Sequence, residues 1–272
     1  MSPRPSLRPR HVNPCPVVGL AALLGVDPAP ELGGLEVTGV THDSRQVRPG
    51  DLYAALPGAS AHGASYAGRA ADAGAVAVLT DAAGADVIDS LPVLVVADPR
   101  ADLGRVASRV YGDPARDLLV VGVTGTNGKT TTSYLVESGL RAAGHRTGMI
   151  GTVETRIGDE RVVSERTTPE APEVHALLAL MCERGVTACV MEVSSHALVY
   201  GRVDGIVFDV AGFTNLSRDH LDFHTDLEDY FAAKASLFTP DRSRRGVVVV
   251  DDEYGRRLAS REGTVPVTTV ST

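Results

Sequence analysis

The chain has 272 residues, enough to bury the cores of two medium-sized domains, and its net charge of −8 argues against a general nucleic-acid-binding or membrane-binding surface. Hydrophobic residues make up 43% of the sequence but aromatic residues only 4%, so the core must consist mainly of Ala, Val and Leu, as is common in α/β proteins. The three cysteines form no CxxC pair and are odd in number, which disfavours a disulfide framework and predicts a cytoplasmic protein.

The start of the chain, residues 1–31, is predicted to be a disordered tail that leads into a short helix. Arg and Pro are frequent up to Pro16, and Asp27 and further prolines interrupt the apolar stretch that follows. We therefore do not expect a signal peptide, and no apolar run approaches the length of a membrane span.

Residues 32–115 are predicted to form a small α/β domain. Four segments have the apolar and β-branched character of strands, and two others have helical periodicity. The predicted strands are 36–41, 50–56, 75–79 and 91–96, and the predicted helices are 66–73 and 100–111. Gly112-Asp113-Pro114 ends the last helix and begins the linker.

Residues 116–272 are predicted to form a second domain with a mostly parallel sheet. Apolar runs bounded by turn residues alternate with helical patterns, as expected of parallel strands joined by crossover helices. The runs are 118–121, 186–192, 205–214 and 246–251, and the helical patterns are 172–184 and 227–237. Ligands gather at the carboxyl ends of such strands, where we expect Glu192, Asn215 and Asp251 to lie on one rim.

A phosphate-binding loop is predicted between the first of these runs and the helix that follows it. Its backbone N–H groups can wrap a polyphosphate, Lys129 can reach the outer phosphates, and the Thr130 hydroxyl can ligate Mg²⁺. The usual pattern has a glycine where this chain has Val123, and a Gly-rich turn without a ligand is the alternative interpretation. The predicted ATP-binding residues are Gly125, Thr126, Asn127, Gly128, Lys129, Thr130 and Thr131.

Lys129 and Lys234 are the only lysines among 26 basic residues. A GC-rich coding sequence would explain why lysine is scarce, but it would not explain why the two that remain lie in two motifs. Lys234 lies on a helical pattern whose apolar face we expect to be buried, and burial favours the neutral amine. A surface lysine with an extended side chain is the alternative.

The sequence of the loop resembles the ATP loop of the Mur ligase family, the ATP-dependent amide-forming enzymes of peptidoglycan synthesis. Further motifs in the same order resemble the MurE branch of that family, and the resemblance runs from about Gly39 to the end of the chain. These motifs are Asp43-Ser44-Arg45, Pro49-Gly50-Asp51-Leu52-Tyr53, Thr167-Thr168-Pro169-Glu170, Met191-Glu192-Val193-Ser194-Ser195-His196, Asn215-Leu216-Ser217-Arg218-Asp219-His220-Leu221-Asp222-Phe223-His224 and Ala233-Lys234.

The resemblance implies a ligase that uses ATP and Mg²⁺ to activate the D-Glu carboxylate of UDP-MurNAc-L-Ala-D-Glu for attack by a diamino acid, meso-diaminopimelate or lysine. It implies catalytic roles for Lys129 and Lys234, with Lys234 carbamylated. It places Thr130, Glu192, His220 and Lys234 around the metal, although Glu192 could instead cap the following turn. We expect a monomer that binds neither nucleic acid nor a membrane.

The same resemblance implies two groups of substrate-binding residues. After the loop Ala59-Ser60-Ala61, the family often has Asp-Gly where this chain has His62-Gly63. Tyr200 stands where glutamine is expected. The implied uridine-binding residues are His42, Ser44 and Ser60, and the implied muramoyl-dipeptide-binding residues are Thr167, Thr168, Ser194, Tyr200 and Arg202.

Two other functions remain open at this stage. Mur ligases have three domains, and we expect the third to be missing here, so the chain alone is predicted to be inactive and could be a nucleotide-sugar-binding fragment. A folylpolyglutamate-type ligase shares the loop, but it gives no reason for Asp43-Ser44-Arg45 or Thr167-Thr168.

Overall fold

A computed structural model describes residues 7–219 and 222–271. The chain forms two compact units, one extending to Asp113 and including Ala171–Leu177, the other comprising Pro114–Glu170 and the chain from Leu178 onward. Within the described ranges, no helix combines the length and the apolar character that crossing a bilayer requires.

The elements of the first unit are β1 (Cys15–Pro16), α1 (Val17–Leu24), β2 (Glu36–Val37), β3 (Gly39–Thr41), β4 (Asp51–Ala54), α2 (Ala67–Asp72), β5 (Ala77–Thr80), α3 (Ala82–Ala85), β6 (Val93–Val95) and α4 (Pro99–Val110). They form a parallel sheet with the strand order β3-β4-β5-β6 and a small antiparallel pair, β1 with β2. The single strand predicted at 36–41 is two strands in different sheets, because β2 pairs with β1, whereas from Thr38, whose N–H donates to the Gly50 carbonyl, the chain pairs alongside β4.

Local chemistry explains the ends of these elements. Helix α4 begins where the Asp98 carboxylate accepts the N–H groups of Arg100 and Ala101, both at 3.0 Å, with Pro99 in the first turn. Near the start of the chain, Arg8 forms a 2.7 Å ion pair with Asp51, whose side chain is 3% exposed. This buried pair ties the described part of the tail to β4.

The second unit is built on a larger sheet that continues the alternation of strand and helix. Residues of α6 up to Leu177 group with the first unit. The elements are β7 (Leu119–Thr124), α5 (Lys129–Ala142), β8 (Thr147–Ile150), β9 (Glu154–Ile157), β10 (Glu160–Val163), α6 (Ala171–Glu183), β11 (Ala188–Glu192), α7 (Ser195–Val199), β12 (Val210–Phe213), α8 (Leu227–Ala235), β13 (Gly246–Val249), α9 (Glu253–Ala259) and β14 (Val267–Val270).

In the described part of the chain, this sheet has the order β10-β9-β8-β11-β7-β12-β13-β14. The strands from β8 to β14 in this order are parallel, which confirms the predicted α/β class with a mostly parallel sheet. Strand β7 lies between β11 and β12, with Glu192 opposite Val123 and Phe213 opposite Thr124. The register therefore brings the loop after β7 beside Glu192 on one side and beside the residues after β12 on the other.

A β-hairpin, β9 and β10, extends this sheet and was not predicted. A buried group of charged residues links it to α5: Arg156 of β9 pairs with Glu137 of α5 at 3.1 Å and with Glu154 at 2.6 Å. Burial alone would raise the pKa of Glu137, but hydrogen bonds from Thr147 and Arg141 and the charge of Arg156 hold it below its ordinary value. The turn before β9 is thus fixed relative to the helix that follows the phosphate loop.

Candidate nucleotide and metal site

The predicted phosphate loop joins β7 to α5 and is shaped by two glycines with positive φ. Gly125 has a φ of 142° and Gly128 a φ of 83°. A Cβ atom on Gly125 would collide with the Thr214 hydroxyl and lie 3.0 Å from the Asn215 carbonyl oxygen, so a larger residue does not fit. Gly128 precedes α5 and has no side chain to cap its first turn, a geometry suited to phosphate.

Val123, which stands where the usual loop has a glycine, is an interior residue of β7. It is 1% exposed and clusters with Val121 and Val190, against Val136 and Leu140. The strand therefore continues through this position, and the backbone turns only at Gly125.

Thr214 and Asn215, which follow β12, hold the loop in shape. The Asn215 side chain accepts the Asn127 N–H at 3.0 Å and donates to the Asn127 carbonyl at 3.1 Å. The Asn215 carbonyl accepts the Thr126 N–H at 2.9 Å, and the Thr214 hydroxyl donates to the Asn127 carbonyl at 2.7 Å. Because the N–H groups of Thr126 and Asn127 are used in this way, we expect phosphate to meet the loop from Gly128 onward.

Lys129, at the start of α5, reaches back over the loop. Its ammonium donates to the carbonyls of Gly125 and Thr126, both at 2.9 Å. Burial lowers the pKa of Lys129, and the charges of Glu192 and Asp219 oppose that change. The lysine is thus held at the place where a bound polyphosphate would meet it.

Lys234, on α8, is 1% exposed and points at the same loop. Its ammonium donates to the Gly125 carbonyl at 2.8 Å and lies 4.5 Å from the centre of the Tyr230 ring. Burial, followed by the charge of Lys129, lowers the pKa of Lys234 to about 7, against an opposing effect of Asp219. Burial and the neighbouring charge therefore both favour the neutral amine of Lys234.

Glu192 ends β11 and is 1% exposed. Its Oε2 accepts the Thr130 hydroxyl at 2.9 Å and the Thr152 hydroxyl at 3.0 Å, and its Oε1 accepts the Thr152 N–H at 2.9 Å. A buried carboxylate beside a hydroxyl gives the hard oxygen donors that Mg²⁺ prefers. These oxygen donors therefore fit the predicted metal, for which Thr130 and Glu192 are predicted ligands.

The predicted ligand His220 lies outside the described residues. Within the described ranges, no group of three or more His, Cys, Asp and Glu side chains is arranged to hold a metal ion.

Two of the predicted dipeptide-binding residues, Thr168 and Ser194, lie beside Glu192, and several of these residues also bond within the protein. The Thr168 hydroxyl donates to the Glu192 carbonyl at 2.8 Å and accepts the Ser194 N–H at 3.2 Å. The Ser194 hydroxyl caps α7. Arg202 pairs with Glu170 at 2.7 Å, and its guanidinium lies 5.5 Å from the centre of the Tyr200 ring.

The predicted uridine-binding residues of the first unit follow β3 and lie in the loop after β4. His42 comes directly after β3, Ser44 is buried and Ser60 is exposed. Asp43, between His42 and Ser44, accepts the Arg45 N–H at 3.0 Å, which is the Asx-type turn that such a sequence favours. Hydrogen bonds from the Arg45 side chain hold the pKa of Asp43 well below its usual range.

His62, which departs from the family pattern, has its own structural role. Its Nδ1 accepts the Ala64 N–H at 3.0 Å, so the ring proton is on Nε2, which lies 3.1 Å from the Asp81 carboxylate. The imidazole thus joins the loop to the N-terminus of α3, which Asp81 caps.

Tyr230 and Thr152 are not among the predicted site residues, yet both contact the site. The buried Tyr230 hydroxyl lies 3.2 Å from the Thr126 hydroxyl of the loop. Thr152 contacts Glu192 through both its backbone and its side chain. Tyr230 does precede Lys234 by one helical turn, a spacing that could have indicated it, whereas Thr152 is exposed and lies in an unpredicted turn.

Comparison with known proteins gives two family matches. Residues 123–272 match the Mur ligase middle domain, and residues 36–111 match the Mur ligase family catalytic domain.

Two curated relatives cover nearly the whole chain. It is 64% identical over 266 residues to "UDP-N-acetylmuramoyl-L-alanyl-D-glutamate--2,6-diaminopimelate ligase" of Streptomyces coelicolor, a match that covers 97% of this chain and 52% of the relative. It is 54% identical over 272 residues to "UDP-N-acetylmuramyl-tripeptide synthetase" of Leifsonia xyli, covering 99% and 53%. The chain thus spans about half the length of the curated relatives it matches.

Among solved structures, a "UDP-N-acetylmuramoyl-L-alanyl-D-glutamate--2,6-diaminopimelate ligase" matches with a TM-score of 0.80 and 27% identity, covering 93% of this chain and 52% of that one. The MurF ligase of Thermotoga maritima in complex with ADP matches with a TM-score of 0.58 at 18% identity, covering 86% and 50%. The second likeness concerns the fold alone.

Proposed function

Because the chain belongs to the Mur ligase family, we propose that it provides the UDP-sugar-binding and ATP-binding parts of a ligase that adds a diamino acid to UDP-MurNAc-L-Ala-D-Glu. The observation that carries this proposal is the convergence of Lys129, Lys234 and the Thr130–Glu192 pair on one loop. The name of the Streptomyces coelicolor relative favours 2,6-diaminopimelate as the amine substrate.

ATP would supply the phosphoryl group that activates the D-Glu carboxylate, and Mg²⁺ would offset the charge of the phosphate oxygens. Lys129 and the first turn of α5 would hold the polyphosphate, and Thr130 and Glu192 would hold the metal, with His220 as a further ligand by resemblance. The role of Lys129 is electrostatic: its ammonium is already held over the loop, so little reorganisation is needed. The mechanism requires no nucleophilic side chain.

Lys234 would act as a carbamate. The ammonium would lose one proton, and the neutral amine would then add CO₂, forming an N–C bond and releasing a second proton, so that a buried cation becomes an anion with two oxygen donors. The supporting observations are the burial of Lys234 and the lowering of its pKa to about 7. Arginine, which the chain uses at every other basic position apart from Lys129, cannot form this group at neutral pH.

The remaining predicted residues would bind the acceptor substrate. His42, Ser44 and Ser60 would bind the uridine nucleotide, and Thr167, Thr168, Ser194, Tyr200 and Arg202 would bind the muramoyl-dipeptide. The Arg202–Glu170 pair fixes the guanidinium, and the exposed Tyr200 ring offers a stacking surface beside it. A folylpolyglutamate-type activity is less supported, since both curated relatives are named for muramoyl-peptide ligases.

Calorimetric titration of the purified chain tests the proposal. We expect UDP-MurNAc-L-Ala-D-Glu to bind more tightly than UDP-N-acetylglucosamine, which lacks the peptide, and ATP to bind with Mg²⁺. If ATP bound but neither UDP-sugar did, the muramoyl-peptide assignment would be wrong and another phosphate-loop ligase would be favoured.

A further inference from the structure

Thr152 lies in the turn between β8 and β9, and it is the residue that makes two of the hydrogen bonds to Glu192. Its N–H donates to Oε1 at 2.9 Å and its hydroxyl lies 3.0 Å from Oε2. A Cβ atom on the preceding residue, Gly151, would collide with the Glu192 carboxylate. The backbone therefore approaches the carboxylate as closely as glycine permits, and this approach sets the orientation of both oxygens.

The Thr152 hydroxyl also lies 3.0 Å from the hydroxyl of Thr167. A hydroxyl has one proton, and an ionised carboxylate can only accept. The Thr152 hydroxyl donates its one proton to Glu192, so Thr167 is the donor to Thr152. The three side chains form a hydrogen-bond series in which Thr167 donates to Thr152 and Thr152 donates to Glu192.

The two end residues of this hydrogen-bond series have different proposed partners. Thr167 belongs to the proposed dipeptide-binding residues, and Glu192 shares the Thr130 hydroxyl at 2.9 Å on the metal side. The turn that carries Thr152 is itself fixed, because β9 is joined to α5 by the buried Arg156–Glu137 pair. A change in the hydrogen bonding of Thr167 therefore reaches the carboxylate through a single side chain.

We propose that Thr152 is a positioning residue that holds Glu192 in the orientation needed for a divalent metal and makes metal affinity depend on the hydroxyl of Thr167. This inference rests on the proposed function, in which Glu192 is a metal ligand. Thr152 is not a catalytic residue in this account, because it acts through Glu192. Partners of metal ligands commonly change metal affinity by about ten- to a hundredfold when removed.

The test measures Mn²⁺ binding to the 272-residue chain by electron paramagnetic resonance, with a non-hydrolysable ATP analogue present. We expect Thr152→Val, which keeps the backbone N–H and the shape, to weaken Mn²⁺ binding about tenfold. Thr152→Ser, which keeps the hydroxyl, should stay within about threefold of the wild type. The exposed Thr268 of β14 provides a matched control, and Thr268→Val should leave Mn²⁺ binding unchanged.

A double-mutant cycle tests whether the effect of Thr167 on metal affinity passes through Thr152. Thr167→Val should weaken Mn²⁺ binding in the wild type but have little further effect once Thr152 is valine. Wild-type Mn²⁺ affinity in Thr152→Val, or equal losses from Thr167→Val in both backgrounds, would overturn the inference alone. A wild-type chain that bound the ATP analogue but no Mn²⁺ would overturn the proposed metal site and this inference with it.

Discussion

Lys129 and Lys234 donate hydrogen bonds to the same carbonyl oxygen, that of Gly125, at 2.9 and 2.8 Å. Two ammonium groups on one acceptor repel each other, and the charge of Lys129 is one of the causes that lower the pKa of Lys234. An anion beside the loop, or the loss of one positive charge, relieves that repulsion. Polyphosphate binding at Lys129 and carbamate formation at Lys234 would each do so.

Carbamate formation can be observed directly. We expect the chain in ¹³C-bicarbonate to give a carbamate resonance by NMR that disappears in Lys234→Arg, because guanidinium does not add CO₂ under these conditions. With the N-terminal amine blocked beforehand, Lys129→Met should weaken the resonance without abolishing it, because the charge of Lys129 is one of the causes that lower the pKa of Lys234. An unchanged resonance in Lys234→Arg would show that the label is elsewhere and that Lys234 acts only as a cation.

The buried Lys234 also predicts a pH dependence of stability. Its pKa is about 7 in the folded chain, whereas the ordinary lysine value of 10.5 applies to the unfolded chain. Between these two pH values the unfolded chain therefore binds one more proton than the folded chain. The contribution of Lys234 to the free energy of unfolding should therefore rise with pH above about 7, by at most about 1.4 kcal/mol per pH unit. Below about pH 7 this contribution should not change with pH.

Denaturant titrations in CO₂-free buffer check this between about pH 7 and pH 8.5, and comparison with Lys234→Met removes the contribution of the cysteine thiols, which begin to ionise in the unfolded chain within this range. The wild type should gain on the order of 1 to 2 kcal/mol relative to Lys234→Met over this range. If the free energy of unfolding changed equally with pH in the two proteins, Lys234 would keep its proton in the folded chain.

The loop should depend on Asn215 for its shape. Asn215→Leu removes both side-chain bonds to Asn127, and we expect it to weaken ATP binding about tenfold by freeing the loop backbone, with each lost bond contributing on the order of 1 kcal/mol. Asn215→Asp keeps the acceptor for the Asn127 N–H but sets a carboxylate oxygen against the Asn127 carbonyl, so it should also weaken ATP binding. Equal ATP affinity in the wild type and Asn215→Leu would show that the glycines and Thr214 are enough to hold the loop in its ATP-binding shape.

The loop and the α/β class were predictable because their signals are local. An apolar strand, glycines, Lys129 and a helical pattern lie within one stretch of sequence, and the family matches confirm the resemblance that this stretch suggested. The orientation of Lys234 toward Gly125 was not predictable, since it depends on how α8 packs in three dimensions. His220 and the domain boundaries remain predictions.

The β9–β10 hairpin was missed for a different reason. Its two-residue turn, Gly158-Asp159, is a recognised hairpin signal. The strands on either side, however, contain Glu154, Arg156 and Glu160, so they lack the apolar run that marks a buried strand. Without that hairpin, the sequence offered no reason to connect Thr152 with Glu192.

The central claim, that this loop binds ATP through Lys129, is tested most directly by calorimetric titration of Lys129→Ala with ATP and Mg²⁺. We expect ATP affinity to fall at least about tenfold, since a charge-assisted contact contributes about 1.5 to 3 kcal/mol, while UDP-MurNAc-L-Ala-D-Glu binds as in the wild type. Undiminished ATP affinity in Lys129→Ala would contradict the claim.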